Sequence, residues 1–132
     1  MHNPPLKSLR DDYHQVSLVA HARVQKIEVA DEVGGYYLYL VHCQVIEPLK
    51  GDIRRGQSVD FYQQVEKGVD MGRLLGGKVV FLYRTLLRLN NKCSLFALEN
   101  ATLPYSVELM RRMKRIKATG RRARKERSLT SC

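Results

Sequence analysis

Apolar and polar residues alternate along the first part of the chain. Val16, Leu18, Ala20, Ala22 and Val24 interleave with Ser17, Val19, His21, Arg23 and Gln25. A period of two with one apolar face predicts a β-strand over about 16–29. After Lys26 the apolar positions move to Ile27 and Val29, so the parity switches within the strand. A β-bulge produces that switch, and a long bulged strand lets a small sheet bend toward closure. The stretch ADEVGG (30–35) reads as a turn, ending in two glycines. A second strand over 36–46 has Tyr37, Tyr39, Val41, Cys43 and Val45 as its core-facing set and Tyr36, Leu38, Leu40, His42 and Gln44 on its other face. Pro48 cannot donate a ladder hydrogen bond and marks the end of this strand. A loop over 49–56 leads to a third strand over 58–65. A glycine-bearing connector over 66–77 includes one helical turn near 70–75. The fourth strand, 78–87, is apolar enough to be central. A turn at Asn90-Asn91 and a fifth strand over 93–100 follow.

The two ends read differently. Residues 1–10, with Pro4-Pro5, predict an extended arm, and Leu9 to His14 a short helical turn. Pro104 breaks the β pattern. Ser106 is an N-cap candidate for the run VELMRRMKRIKA, in which Val107, Met110, Met113 and Ile116 recur at helical spacing beside Leu109. Gly120 ends that helix, and RRARKERSLTSC is expected to be disordered. Five strands in this order, with a connector between the third and fourth, predict a mainly β fold: a small five-stranded OB-like barrel with a C-terminal amphipathic helix. An open meander sheet with one helix packed on it is the alternative. Residues 1–104 form the barrel domain with its arm, and 105–132 the basic helix and tail.

Composition adjusts this picture in three ways. A chain of 132 residues with 44% hydrophobic content fits one domain that folds without disulfides or metal. The net charge of +10 is unevenly placed: residues 1–104 carry 13 basic and 11 acidic side chains, residues 105–132 carry 10 and 2. Clustered positive charge at the end favours acidic protein surfaces, nucleic acid or anionic lipid. Cys43, Cys93 and Cys132 make an odd count without a CxxC, so no secreted disulfide framework is indicated. Cys43 and Cys93 are expected as small buried residues in strands and Cys132 as an exposed thiol. A Cys43–Cys93 bridge depends on how close the strands bring them. No apolar run is long enough to span a membrane, and MHNPPLKSLR lacks the apolar core of a signal peptide. A cytoplasmic protein and an exported domain without its signal both fit.

The runs LVAHARVQKIE, YYLYLVHCQVIEPLKGD, GQSVDFY and GGKVVFLYR together resemble the netrin-like group of OB barrels. That group includes the N-terminal domain of tissue inhibitors of metalloproteinases and small exported bacterial proteins. The likeness covers about residues 16–99. It lies in the alternating first strand, Lys50-Gly51 closing the second, Gly56 before the third, and Gly77 to Leu82 in the fourth. It implies a netrin-like barrel and an exported location. The inhibitors reach their target's zinc through an N-terminal cysteine, whereas the first cysteine here is Cys43. The resemblance therefore implies no binding residue.

Candidate chemistry is sparse. Pairing Ala30 with Gly35 places Val24 opposite Val41 and Ala22 opposite Cys43, apolar with apolar. It also places Arg23 opposite His42 and His21 opposite Gln44, which makes the two histidines diagonal neighbours within reach of a metal. No third ligand joins them, so no metal or other cofactor is expected. His42 and Cys43 are adjacent in one strand and point to opposite faces, so they cannot act as base and nucleophile. No GxSxG, HExxH or phosphate-cradling glycine loop occurs, and catalysis is not expected. The candidate ligand face is Tyr36, Leu38, His42, Arg54, Arg55, Tyr62 and Gln64. Its tyrosines could stack bases and Arg54-Arg55 could meet phosphates, whereas Asp31, Glu32 and Asp60 oppose a polyanion. The expectation is a non-catalytic binding or structural module, with a protein partner or acidic surface as ligand. A single-stranded nucleic-acid-binding protein assisted by the basic tail is the alternative.

Overall fold

The structure, a computed structural model, describes residues 6–87, 89–99 and 101–120. It opens with helix α1 (Leu6–Gln15), followed by strands β1 (Leu18–Val33), β2 (Tyr36–Lys50) and β3 (Ser58–Glu66). A 3-10 turn (Met71–Leu74) leads to β4 (Gly76–Leu87), β5 (Lys92–Ala97), the short β6 (Leu103–Pro104) and helix α2 (Val107–Gly120). The first five strands close a ring in the order β1-β2-β3-β5-β4 and back to β1. Three meander strands, a connector and a closing hairpin are the OB-like order expected from the sequence. The neighbours are antiparallel except β3 and β5, which meet in parallel through the pair Tyr62 and Phe96.

The β1–β2 register departs from the sequence-based pairing. Both strands run closer to the turn, which is only Gly34 and Gly35, with Gly34 at φ +58. Gln25 and Ala30 are extra residues in β1. The bulge at Gln25 is the parity switch read from the sequence. The shorter turn and these two bulges together shift the pairing by two residues. Val24 therefore faces Cys43 and Ala22 faces Val45, with Arg23 opposite Gln44; Ile46, an extra residue in β2, moves His21 one further, opposite Glu47. A shift of two keeps every side chain on its expected face, so apolar still meets apolar. The second strand also passes through Pro48 instead of stopping there. Pairing with β3 ends at Gln44 and Ser58, so Pro48 sits where β2 has become an edge and its missing N–H breaks no ladder.

Two apolar layers hold the fold together. Inside the ring lie Leu18, Ala20, Ala22 and Val24 of β1, Val41, Cys43 and Val45 of β2, Val59 and Phe61 of β3, and Val80 and Leu82 of β4. Outside it, Val19, Leu49, Val79 and Phe81 meet Leu9, Tyr13 and Val16 and the α2 residues Leu109, Met110, Met113 and Ile116. Strand β4 is buried on both faces from Lys78 to Leu82, which is why Val79 to Leu82 reads as an apolar run.

The helices account for the remaining differences. The expected single turn is a ten-residue helix from Leu6, and residues 1–5 of the expected arm lie outside the described residues. Leu9, Tyr13 and Val16 fall at i, i+4 and i+7, too few apolar positions to announce a period, yet all three are buried. The Tyr13 hydroxyl donates to the Leu49 carbonyl at 3.2 Å, and Lys50 Nζ donates to the Tyr13 carbonyl at 2.6 Å. In α2 the Ser106 Oγ accepts from the Leu109 N–H at 3.0 Å, the expected N-cap. Val107, expected on the buried stripe, is 65% exposed. At about 100° per residue it lies on the face opposite Leu109, Met113 and Ile116. Beyond the fifth strand the chain adds β6, which pairs with Lys78 and Val79 of β4. Cys43 is buried and free, so no Cys43–Cys93 bridge forms, and Cys93 is exposed rather than buried. The expected disorder of 121–132 and the exposed Cys132 thiol lie outside the described residues.

Candidate functional site

The ring interior leaves a cavity of about 10 Å³ bounded by Ala20, Cys43, Ile53 and Leu82, among others. That cavity has room for a water at most. The outer face of β1, β2 and β3 is a grid set by the two registers. Its rows are Val33–Tyr36–Glu66, Asp31–Leu38–Gln64, Glu28–Leu40–Tyr62 and Lys26–His42–Asp60. The middle column is apolar for three rows and ends in His42. Carboxylates flank it on both sides: Glu28 and Asp31 from β1, Asp60 and Glu66 from β3. Tyr36 is 41% exposed and Leu38, Leu40 and Tyr62 are half-buried. The Tyr62 ring continues the surface to Phe96 at 5.6 Å, and Phe96 to Tyr83 at 6.2 Å.

His42 is held from both sides. Its Nδ1 lies 2.8 Å from Asp60 Oδ1 and its Nε2 2.5 Å from Glu28 Oε2. Hydrogen bonds to Glu28 and then Asp60 raise its pKa, and the bond to His42 foremost, helped by Lys26, lowers that of Glu28. His21 is elsewhere, stacked on Tyr105 with ring centroids 4.0 Å apart and facing Glu47 across the strands. Burial lowers its pKa foremost; Glu47 works against this and Arg23 with it. The two histidines are therefore not the diagonal pair that the sequence register suggested. Among the described residues no three His, Cys, Asp or Glu side chains converge on a metal position.

Other candidates divide in the same way. Tyr36, Leu38, His42, Tyr62 and Gln64 share the grid. Arg54 and Arg55 do not: they sit in the β2–β3 loop, where Gly56 N–H bonds Val45 O at 2.7 Å. The span of β2 from Tyr36 to Val45 is about 30 Å at 3.3 Å per residue, so the loop lies far from Tyr36 and adjoins the His42 end, where Gln44 Nε2 donates to Gly56 O at 3.2 Å. The Cys43 thiol donates to Val59 O at 3.3 Å, and burial, reinforced by Asp60, pushes its pKa to about 12. Sequence reasoning missed Glu28 and Glu66 as flanks of the face and Phe96 as its extension. The correct β1–β2 register would have placed Glu28 beside His42, whereas Phe96 reaches Tyr62 only through the parallel β3–β5 contact.

A second charged surface lies on α2. Arg111, Lys114, Arg115 and Lys117 are exposed on its outer side. Arg111 pairs with Glu108 at 3.3 Å and Lys114 with Glu47 at 3.4 Å. No known family model matches the chain, and no curated protein does.

Proposed function

We propose that the protein is a non-catalytic binding module that takes a protein partner on the outer face of β1, β2 and β3. One observation carries this reading. The helices pack on Val19, Leu49, Val79 and Phe81, away from an apolar column, Tyr36, Leu38 and Leu40, that has carboxylates on both flanks. Such a column suits an extended or helical protein segment with apolar residues beside Lys or Arg. The same carboxylates repel the phosphates of a nucleic acid. The thiol of Cys43, pushed to about 12 and pointing into the core, is no candidate nucleophile and is consistent with a binding role. Membership of the netrin-like group, and the exported location it implies, belong to the same proposal and rest on the OB-like strand order and the sequence likeness.

The test is site-specific photo-crosslinking in the full chain. A crosslinker at Tyr36 or Gln64 is expected to capture a protein that one at Lys117 does not, and Leu38→Asp is expected to abolish the capture. Equal capture from all three positions, or none, defeats the reading. The second reading, single-stranded nucleic-acid binding, is favoured specifically by the cationic side of α2. It expects affinity for single-stranded DNA that falls with salt and weakens in Arg115→Ala and Lys117→Ala. Binding that vanishes with Tyr62→Ala alone would favour the β face for nucleic acid instead, against its charge.

A further inference from the structure

His42 lies on the middle strand of the grid and both ring nitrogens face carboxylate oxygens, Asp60 of β3 at 2.8 Å and Glu28 of β1 at 2.5 Å. A carboxylate can only accept, and a neutral imidazole has a single N–H. Both contacts can therefore be hydrogen bonds only when the ring carries two protons. The next rows bring Arg23 opposite Gln44 and Tyr62 opposite Leu40 on the same face, and beside the ring stands Lys26, opposite His42 in the register and 3.7 Å from the other Glu28 oxygen. Lys26 is 68% exposed and competes for Glu28. On β2 itself the neighbours on this face, Leu40 and Gln44, do not titrate.

We propose that Glu28, His42 and Asp60 form a proton-operated staple across β1, β2 and β3. With the proton bound, one imidazolium ties the three strands together and leaves one net negative charge on the three groups. When the proton leaves, one of the two bonds is lost and the same groups carry two negative charges. The face thereby becomes looser and more acidic as pH rises, whichever partner it takes. The sign follows from the two shifts. His42's pKa is raised on folding, so its contribution is complete below the ordinary imidazole value of 6.5 and is lost as pH climbs through the higher folded value. Glu28's is lowered, so its contribution is complete above 4.5 and is lost as pH falls through the lower folded value. The staple is therefore closed between the two folded values and opens as pH rises through that of His42 or falls through that of Glu28.

The experiment is an NMR titration of the His42 ring in the full chain, with amide exchange of β1 to β3 measured at acid and alkaline pH. The expected His42 midpoint lies above 6.5 and moves down in both Glu28→Gln and Asp60→Asn. Protection of the β1–β3 amides relative to those of β4 is expected to fall by roughly two- to fivefold on raising pH, the scale of a partly exposed ion pair. In His42→Gln that pH dependence is expected to disappear. A midpoint at or below 6.5, or one that neither carboxylate variant moves, overturns the proposal. Equal loss of protection in His42→Gln overturns it as well. Failure of the crosslinking test above would leave these readouts unaffected.

Discussion

Gly51 shows how a single residue can be indispensable in a loop that the sequence marks only as polar. It takes φ +91, and a Cβ there would overlap the Ser17 carbonyl oxygen and the Leu18 side chain. Neither neighbour can retreat, because Ser17 N–H bonds Leu82 O at 3.1 Å and Leu18 lies in the ring interior. Gly51→Ala is expected to cost about 2–4 kcal/mol in a urea melt, combining positive φ with backbone overlap. Gly34→Ala, with nothing within 4 Å, should cost about 1 kcal/mol, from its positive φ alone. Cys43 makes the opposite point, since its burial was legible from the alternation of its strand. Its thiol, pushed to about 12, should resist iodoacetamide at pH about 8 in the native chain and react on unfolding. A mass spectrum of the Cys43 peptide reads this directly, and labelling at the native state would contradict the buried placement.

At the scale of elements, α2 was the most legible part of the chain and α1 the least. The Ser106 cap, the buried methionines and the basic outer side all follow from local chemistry. Ser106→Ala is expected to lower stability by about 1 kcal/mol, the usual worth of an N-cap. Met113 is fully buried beneath α1, so Met113→Ala should cost about 2–5 kcal/mol and raise amide exchange in α1 as well as α2. A loss confined to α2 would show that the helices do not share one layer. Helix α1 escaped notice because three apolar residues in ten do not make a period; they become a face only when α2 and β4 cover them. The β1–β2 pairing was right in parity and wrong in register. Parity follows from alternation along each strand, whereas register depends on the length of the Gly34-Gly35 turn and on the bulge at Ala30. Local hydropathy does not reveal that second bulge, since alanine and aspartate at a sheet edge read equally as turn.

For the whole molecule, the outer apolar layer makes α2 part of the fold. A chain stopped at Pro104 would leave Leu9, Tyr13, Val79 and Phe81 without the four α2 side chains that cover them. It is expected to bind a hydrophobic dye and to lose a cooperative melt, so truncation is no clean test of what α2 binds. Substituting Arg115 and Lys117 at the surface is the better probe, because both are exposed. The candidate face was half legible. Tyr36, Leu38, His42, Tyr62 and Gln64 were placed together because residues two apart share a face and neighbouring strands align. Arg54 and Arg55 sit in the loop that follows β2, beyond the rows that the two registers align. By itself the sequence determined the strands, their inward faces, the capped C-terminal helix and the concentration of positive charge at the end of the chain. Each of these follows from interactions within a few residues. Tertiary structure alone decided the ring closure through Tyr62 and Phe96, the covering of α1, and the meeting of Glu28, His42 and Asp60. These depend on pairings between distant segments, where one extra residue in a turn or bulge resets every partner beyond it.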